Sequence, residues 1–114
     1  NEVAKIVVNA CFQIHKELGP GLFESVYEQC LYFELIQSGL VVERQKELPI
    51  IYKSNKMEFG FRTDIIVERK VIVEIKSVEV IAPVHQKQLL TYLRLSGLKL
   101  GLLVNFNESL IKDG

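Results

Sequence analysis

Two apolar, β-branched runs, residues 63–67 and 71–76, are separated only by Glu68-Arg69-Lys70. Three residues cannot carry a crossover between parallel strands, so the runs are predicted to fold back as an antiparallel hairpin. With a three-residue loop Val67 faces Val71, and counting outward brings Asp64 directly across from Glu74. A two-residue loop would shift the register and separate them. In the first register the two acids share one face of the ribbon with Cβ atoms about 4.5–5.5 Å apart, and Lys76 joins them two residues on. Like charges facing each other weaken a sheet. Strands that are otherwise strongly apolar therefore contain a charge conflict that another group must relieve.

The remaining sequence sets the frame for that ribbon. The chain has 114 residues, 48% hydrophobic and 25% charged, which suits a single domain over 1–114 and excludes wholesale disorder. Its longest apolar stretches, such as Leu102-Leu103-Val104, fall far below the roughly 20 residues of a membrane helix, and no secretory leader opens it. A cytoplasmic protein with no membrane partner is expected. Lys plus Arg and Asp plus Glu each number 14. That neutrality argues against a protein whose main work is gripping a long polyanion, while leaving brief, local contact with nucleic acid open. Cys11 and Cys30 lie in helical patterns among apolar neighbours and are expected as buried thiols; no Cys or His pair has metal-ligand spacing.

Val3, Val7, Ala10, Ile14 and Leu18 recur at steps of three and four, defining a first helix that Gly19-Pro20-Gly21 stops. A second helix carries Phe23, Val26, Tyr27, Cys30, Leu31 and Leu35 and ends at Gly39. Short strands are expected at 40–43, 48–52 and 57–61, with a turn at Ser54-Asn55-Lys56 and an edge or bulge at Pro49. Beyond the hairpin and Pro83, a third helix over 84–96 ends at Gly97, residues 98–106 form a last strand, and the polar end reads as a tail. This order predicts an α/β sandwich, a mixed sheet flanked by helices.

A divalent cation resolves the conflict on the ribbon. Mg²⁺ takes oxygen ligands, commonly one or two carboxylates, and leaves other positions to water and substrate phosphate oxygens. Such an ion activates water and offsets charge building on phosphorus, and the Lys76 ammonium beside it can orient that water or neutralise the oxyanion. The competing account of Asp64, Glu74 and Lys76 is a solvated strand face with a cross-strand ion pair. His85 reads as an exposed polar residue at the start of the third helix, and His15 is a weaker candidate for chemistry.

Asp64 followed by Glu74-Ile75-Lys76 resembles the D…(D/E)xK signature of the PD-(D/E)xK nuclease-like superfamily, and the element order is similar to its restriction-endonuclease-like αβββαβ core. The segment from Gly21 to Tyr27 matches GxxExxY, the motif of a small bacterial branch, and Gln88 to Tyr92 resembles the QxxxY element of exonuclease-like members. The likeness covers about residues 5–106. It implies a Mg²⁺- or Mn²⁺-dependent phosphodiesterase acting on DNA in preference to RNA. Asp64, Glu74, Glu24 and the Ile75 carbonyl would hold the metal, and Lys76 would be the catalytic lysine. Gln88 and Tyr92 would position the phosphate backbone, with Tyr27 packing behind the site. A homodimer is expected, since one domain supplies one site for two strands. The rival expectations are a nucleic-acid-binding domain that keeps the fold but does not cut, and a protein-interaction unit.

Overall fold

The computed structural model describes residues 1–107 and the backbone of 112–113. Helix α1 (Glu2–Leu18) starts where the Asn1 side chain accepts hydrogen bonds from Val3 N and Ala4 N at 2.8 and 3.2 Å, satisfying two donors the first turn leaves open. Its stripe of Val7, Ala10, Cys11 and Ile14 is buried. Gly19, at φ 73°, ends it, and α2 (Glu24–Gln37) returns alongside. The turn between them is pinned by Tyr27, whose hydroxyl donates to Gly19 O at 2.5 Å and accepts from Leu22 N at 3.2 Å. The Tyr27 ring stacks on Phe106, centroids 4.3 Å apart.

Strand β1 (Val42–Leu48) leads into a small separate ribbon, β2 (Ile51–Tyr52) with β3 (Asn55–Lys56). The chain re-enters the main sheet as β4 (Phe61–Val67) and β5 (Val71–Lys76), crosses through α3 (Pro83–Ser96), and closes with β6 (Leu100–Asn105) and β7 (Lys112–Asp113). The sheet order is β1-β4-β5-β6-β7; β5 and β6 run parallel and the other neighbours antiparallel. This is the mixed, helix-flanked sheet expected, with a restriction-endonuclease-like plan.

Strand alternation divides the core in two. Ile65, Val67, Val71, Val73, Ile75, Leu102 and Val104 pack under α1 and α2, while Ile66, Ile72 and Leu103 pack with Leu89 of α3 on the other face. Gly101 makes room for that helix: a Cβ there would lie 2.8 Å from Leu89 Cδ1.

The β4–β5 register is the expected one, with Val67 opposite Val71, Ile66 opposite Ile72 and Ile65 opposite Val73. Glu68 and Arg69 both adopt left-handed backbone, φ 54° and 52°, which suits the twist of a tight hairpin but strains residues with a Cβ. Glu68 recovers some of that cost by contacts with the chain just before β1: its N–H donates to Val41 O at 2.8 Å and its carboxylate accepts from Val41 N at 2.6 Å.

Five local expectations are corrected. In place of strands at 40–43 and 48–52, β1 runs over Val42–Leu48 and ends before Pro49, since proline offers no ladder donor, and Ile51–Tyr52 belongs to the separate β2. The turn placed at Ser54-Asn55-Lys56 sits at Lys53-Ser54, whose φ values of 49° and 67° fit a hairpin bend, and of the strand expected at 57–61 only Phe61 is extended, as the start of β4. Residues 112–113 of the expected tail add a strand to β6; the rest of it, 108–111 and 114, lies outside the described residues. Both cysteines are free as expected; burial pushes the Cys11 thiol up to about 12, but Cys30 is only half-buried.

Candidate active site

Asp64 and Glu74 lie where the hairpin ladder stops. The last recorded β4–β5 pair is Ile65 with Val73, and at the next step the carboxylates replace main-chain bonding. Glu74 Oε2 accepts from the Asp64 N–H at 2.8 Å, and Asp64 Oδ2 accepts from the Ile75 N–H at 2.8 Å. Two donors left over by the parting strands are thereby satisfied, and each acid has one oxygen fixed by a backbone dipole. Of the remaining oxygens, Asp64 Oδ1 has a single long contact, 3.4 Å from Gln45 Nε2, and Glu74 Oε1 has no hydrogen-bond partner among the described residues.

The face is also the expected one. Asp64 alternates with Ile66, and Glu74 and Lys76 with Ile72, so all three stand on the α3 side of the sheet. Glu74 is 5% exposed. Burial, then the neighbouring Asp64 charge, raises its carboxyl from 4.5 to about 7 against the pull of the Asp64 N–H and Lys76. Asp64 is also raised, chiefly by burial and further by Glu28, while the Ile75 N–H, Lys76 and Gln45 oppose the change. Both carboxylates are thus reluctant to ionise, chiefly through burial, with the Asp64 charge adding to the effect at Glu74.

These acids fit a divalent cation: both are hard oxygen ligands, Glu74 with one oxygen unbonded and Asp64 with one held only by the long Gln45 contact, and a doubly charged ion offsets the cost of burying their charge. Among the described residues no three His, Cys, Asp or Glu side chains already form a ligand group. A two-carboxylate site leaves its other positions to backbone carbonyl, water and phosphate oxygens.

Of the other expected residues, Tyr92 on α3 is brought to the pair; burial and the charges of Glu74 and Asp64 raise its hydroxyl above the usual value. Its ring stacks on Phe61, centroids 4.7 Å apart. Gln88, one turn earlier, is exposed. The Glu24 carboxylate accepts from Ser77 N at 3.0 Å, fixing the chain just past Lys76. The helical acid that both Asp64 and Glu74 feel is Glu28, one turn on, which sequence reasoning passed over. Its signal was available, since it follows Tyr27 directly and stands at i+4 from Glu24 on the same helix face. Gln45 was also missed. His85 caps α3, its Nδ1 accepting from Ala82 N at 3.1 Å.

The neutral chain is divided in charge by its sheet. Helices α1 and α2 carry Glu2, Glu17, Glu24, Glu28 and Glu34 against Lys5 and Lys16, a net −3, whereas α3 carries Lys87 and Arg94 with no acid, a net +2. The layer that faces Asp64, Glu74 and Lys76 is the positive one.

A mixed sheet with helices on both faces and paired acids beside a lysine at its centre defines a nuclease-like α/β domain. A family model of the PD-(D/E)XK nuclease superfamily matches residues 1–114, and the chain belongs to that superfamily. No curated protein and no solved structure matches it. No helix among the described residues is long and apolar enough to cross a membrane.

Proposed function

We propose that the protein is a metal-dependent nuclease of the GxxExxY branch that cleaves DNA. The observation that carries this reading is the Asp64–Glu74 pair, each acid tied by one oxygen to a backbone N–H, with the other unbonded in Glu74 and held only by a long Gln45 contact in Asp64. Asp64 and Glu74, with the Ile75 carbonyl, would hold Mg²⁺ or Mn²⁺. A cation there supplies Lewis acidity and a more acidic bound water. Lys76 sets its ammonium beside the pair, where it orients the attacking water and balances charge on the phosphate. Tyr92, kept protonated by burial and by its acidic neighbours, offers a hydroxyl donor to a phosphate oxygen. Gln88, Lys87 and Arg94 on the exposed side of α3 receive the strand, in keeping with the positive charge of that layer. The work takes place in the cytoplasm, and two copies of the chain serve the two strands of a duplex.

The test is cleavage of labelled single- and double-stranded DNA in Mn²⁺ by wild type, Asp64→Asn and Lys76→Met. Loss of either group is expected to slow cleavage by about 10²–10³-fold or more. Cleavage at the wild-type rate by both variants refutes the assignment. A second reading is a domain that keeps the fold and binds DNA without cutting it. That reading predicts a DNA complex with no turnover in any divalent metal.

A further inference from the structure

Five non-glycine residues have left-handed backbone among those described, and four of them, Lys53, Ser54, Glu68 and Arg69, make hairpin turns. The fifth, Gln45 at φ 49°, sits inside β1. Its neighbours pair normally, Arg44 with Ile65 and Lys46 with Thr63, but the Gln45–Asp64 step is skipped. Strain of this kind persists only where its surroundings hold it, and it gathers at functional sites.

The side chains explain what the distortion achieves. Adjacent residues of an extended strand point to opposite faces. Here Arg44 and Gln45 instead reach the same carboxylate: Arg44 Nε lies 3.2 Å from Glu28 Oε2, and Gln45 Nε2 donates to Glu28 Oε1 at 2.7 Å. The same Gln45 amide nitrogen lies 3.4 Å from Asp64 Oδ1. Glu28 is buried, 7% exposed, and its charge is felt by both Asp64 and Glu74.

We propose that Gln45 is a positioning residue, whose left-handed backbone turns its amide between Glu28 and Asp64 and so presents the α2 acid to the cation site. A primary amide suits the post because its two protons serve two carboxylates and it adds no charge. The inference rests on the metal-site reading above.

Calorimetric titration of Mn²⁺, paired with thermal melting, tests it on wild type, Gln45→Gly, Glu28→Gln and the double variant. Glycine relieves the backbone, so Gln45→Gly is expected to melt no lower than wild type yet bind Mn²⁺ about tenfold more weakly. Glu28→Gln should lose a similar factor, and the double variant little more than either alone, because the two act as one unit. If Gln45→Gly melts low, Gln45→Asn replaces it, since asparagine tolerates left-handed backbone but falls one methylene short of Glu28. Unchanged Mn²⁺ affinity in the position-45 variant overturns the positioning role and leaves the metal site standing. A wild type that takes up no Mn²⁺ overturns both.

Discussion

Glu74→Gln should make the metal-free protein more stable, although it removes a proposed metal ligand. The Glu74 carboxyl is raised from 4.5 to about 7. Because its folded value exceeds the unfolded one, its ionised form is disfavoured by the fold: the full stability holds below pH 4.5 and is lost as pH rises through 7. At pH 8 the loss is about 3 kcal/mol, and at pH 5 about 1 kcal/mol. Glutamine keeps an oxygen to accept from the Asp64 N–H and has no charge, so it escapes this loss. For a domain of this size the gain corresponds to roughly 10 °C in Tm at pH 8 and a few degrees at pH 5. Melting curves of both proteins in EDTA from pH 5 to 8.5 measure it, and Mn²⁺ should narrow the difference by stabilising wild type alone. A gain that does not vary with pH, or a Gln variant less stable than wild type at pH 8, refutes the claim that the fold disfavours the Glu74 carboxylate.

Three further outcomes follow from other parts of the molecule. Arg69→Gly, at an exposed left-handed turn position, should stabilise by about 1 kcal/mol, read as a higher urea midpoint with an unchanged slope. Tyr27→Phe keeps the stack on Phe106 but loses the bonds to Gly19 and Leu22, and should cost about 1–2 kcal/mol in the same assay. The pair Lys87→Glu and Arg94→Glu should weaken DNA binding and flatten its salt dependence while leaving Tm within about 1 °C; an unchanged salt slope excludes α3 from the DNA face.

The acid pair was legible because its information is local. A three-residue connection, period-two alternation and one register put Asp64, Glu74 and Lys76 on one face, and the hairpin obeys all three. The two-helix layer was legible from its apolar stripe and glycine stops. What was hidden depended on distant partners. Val42–Leu48 carries four consecutive exposed residues, so its alternation is faint and its length could not be read. The distortion at Gln45 has no glycine, asparagine or proline to announce it; it arises from Glu28 and Asp64, 17 and 19 residues away in sequence. Net charge concealed a separation that exists only once the sheet stands between the helices. Seeing Glu28 beside the pair needed the direction of α2 against β1, which its bonds to Arg44 and Gln45 make visible.

The Glu68–Val41 clasp lies at the opposite end of the ribbon from the acids, and its reach is longer than its position suggests. Sliding β4 by a single residue against β1 would invert every side chain on it and drive Asp64 into the greasy layer beneath α1 and α2. A carboxylate bolted to both the turn and the edge of the sheet forbids that slippage. Chemistry at one pole of the molecule is thus indexed by a fastener at the other, and loosening Glu68 would misalign the ribbon before touching any reacting group.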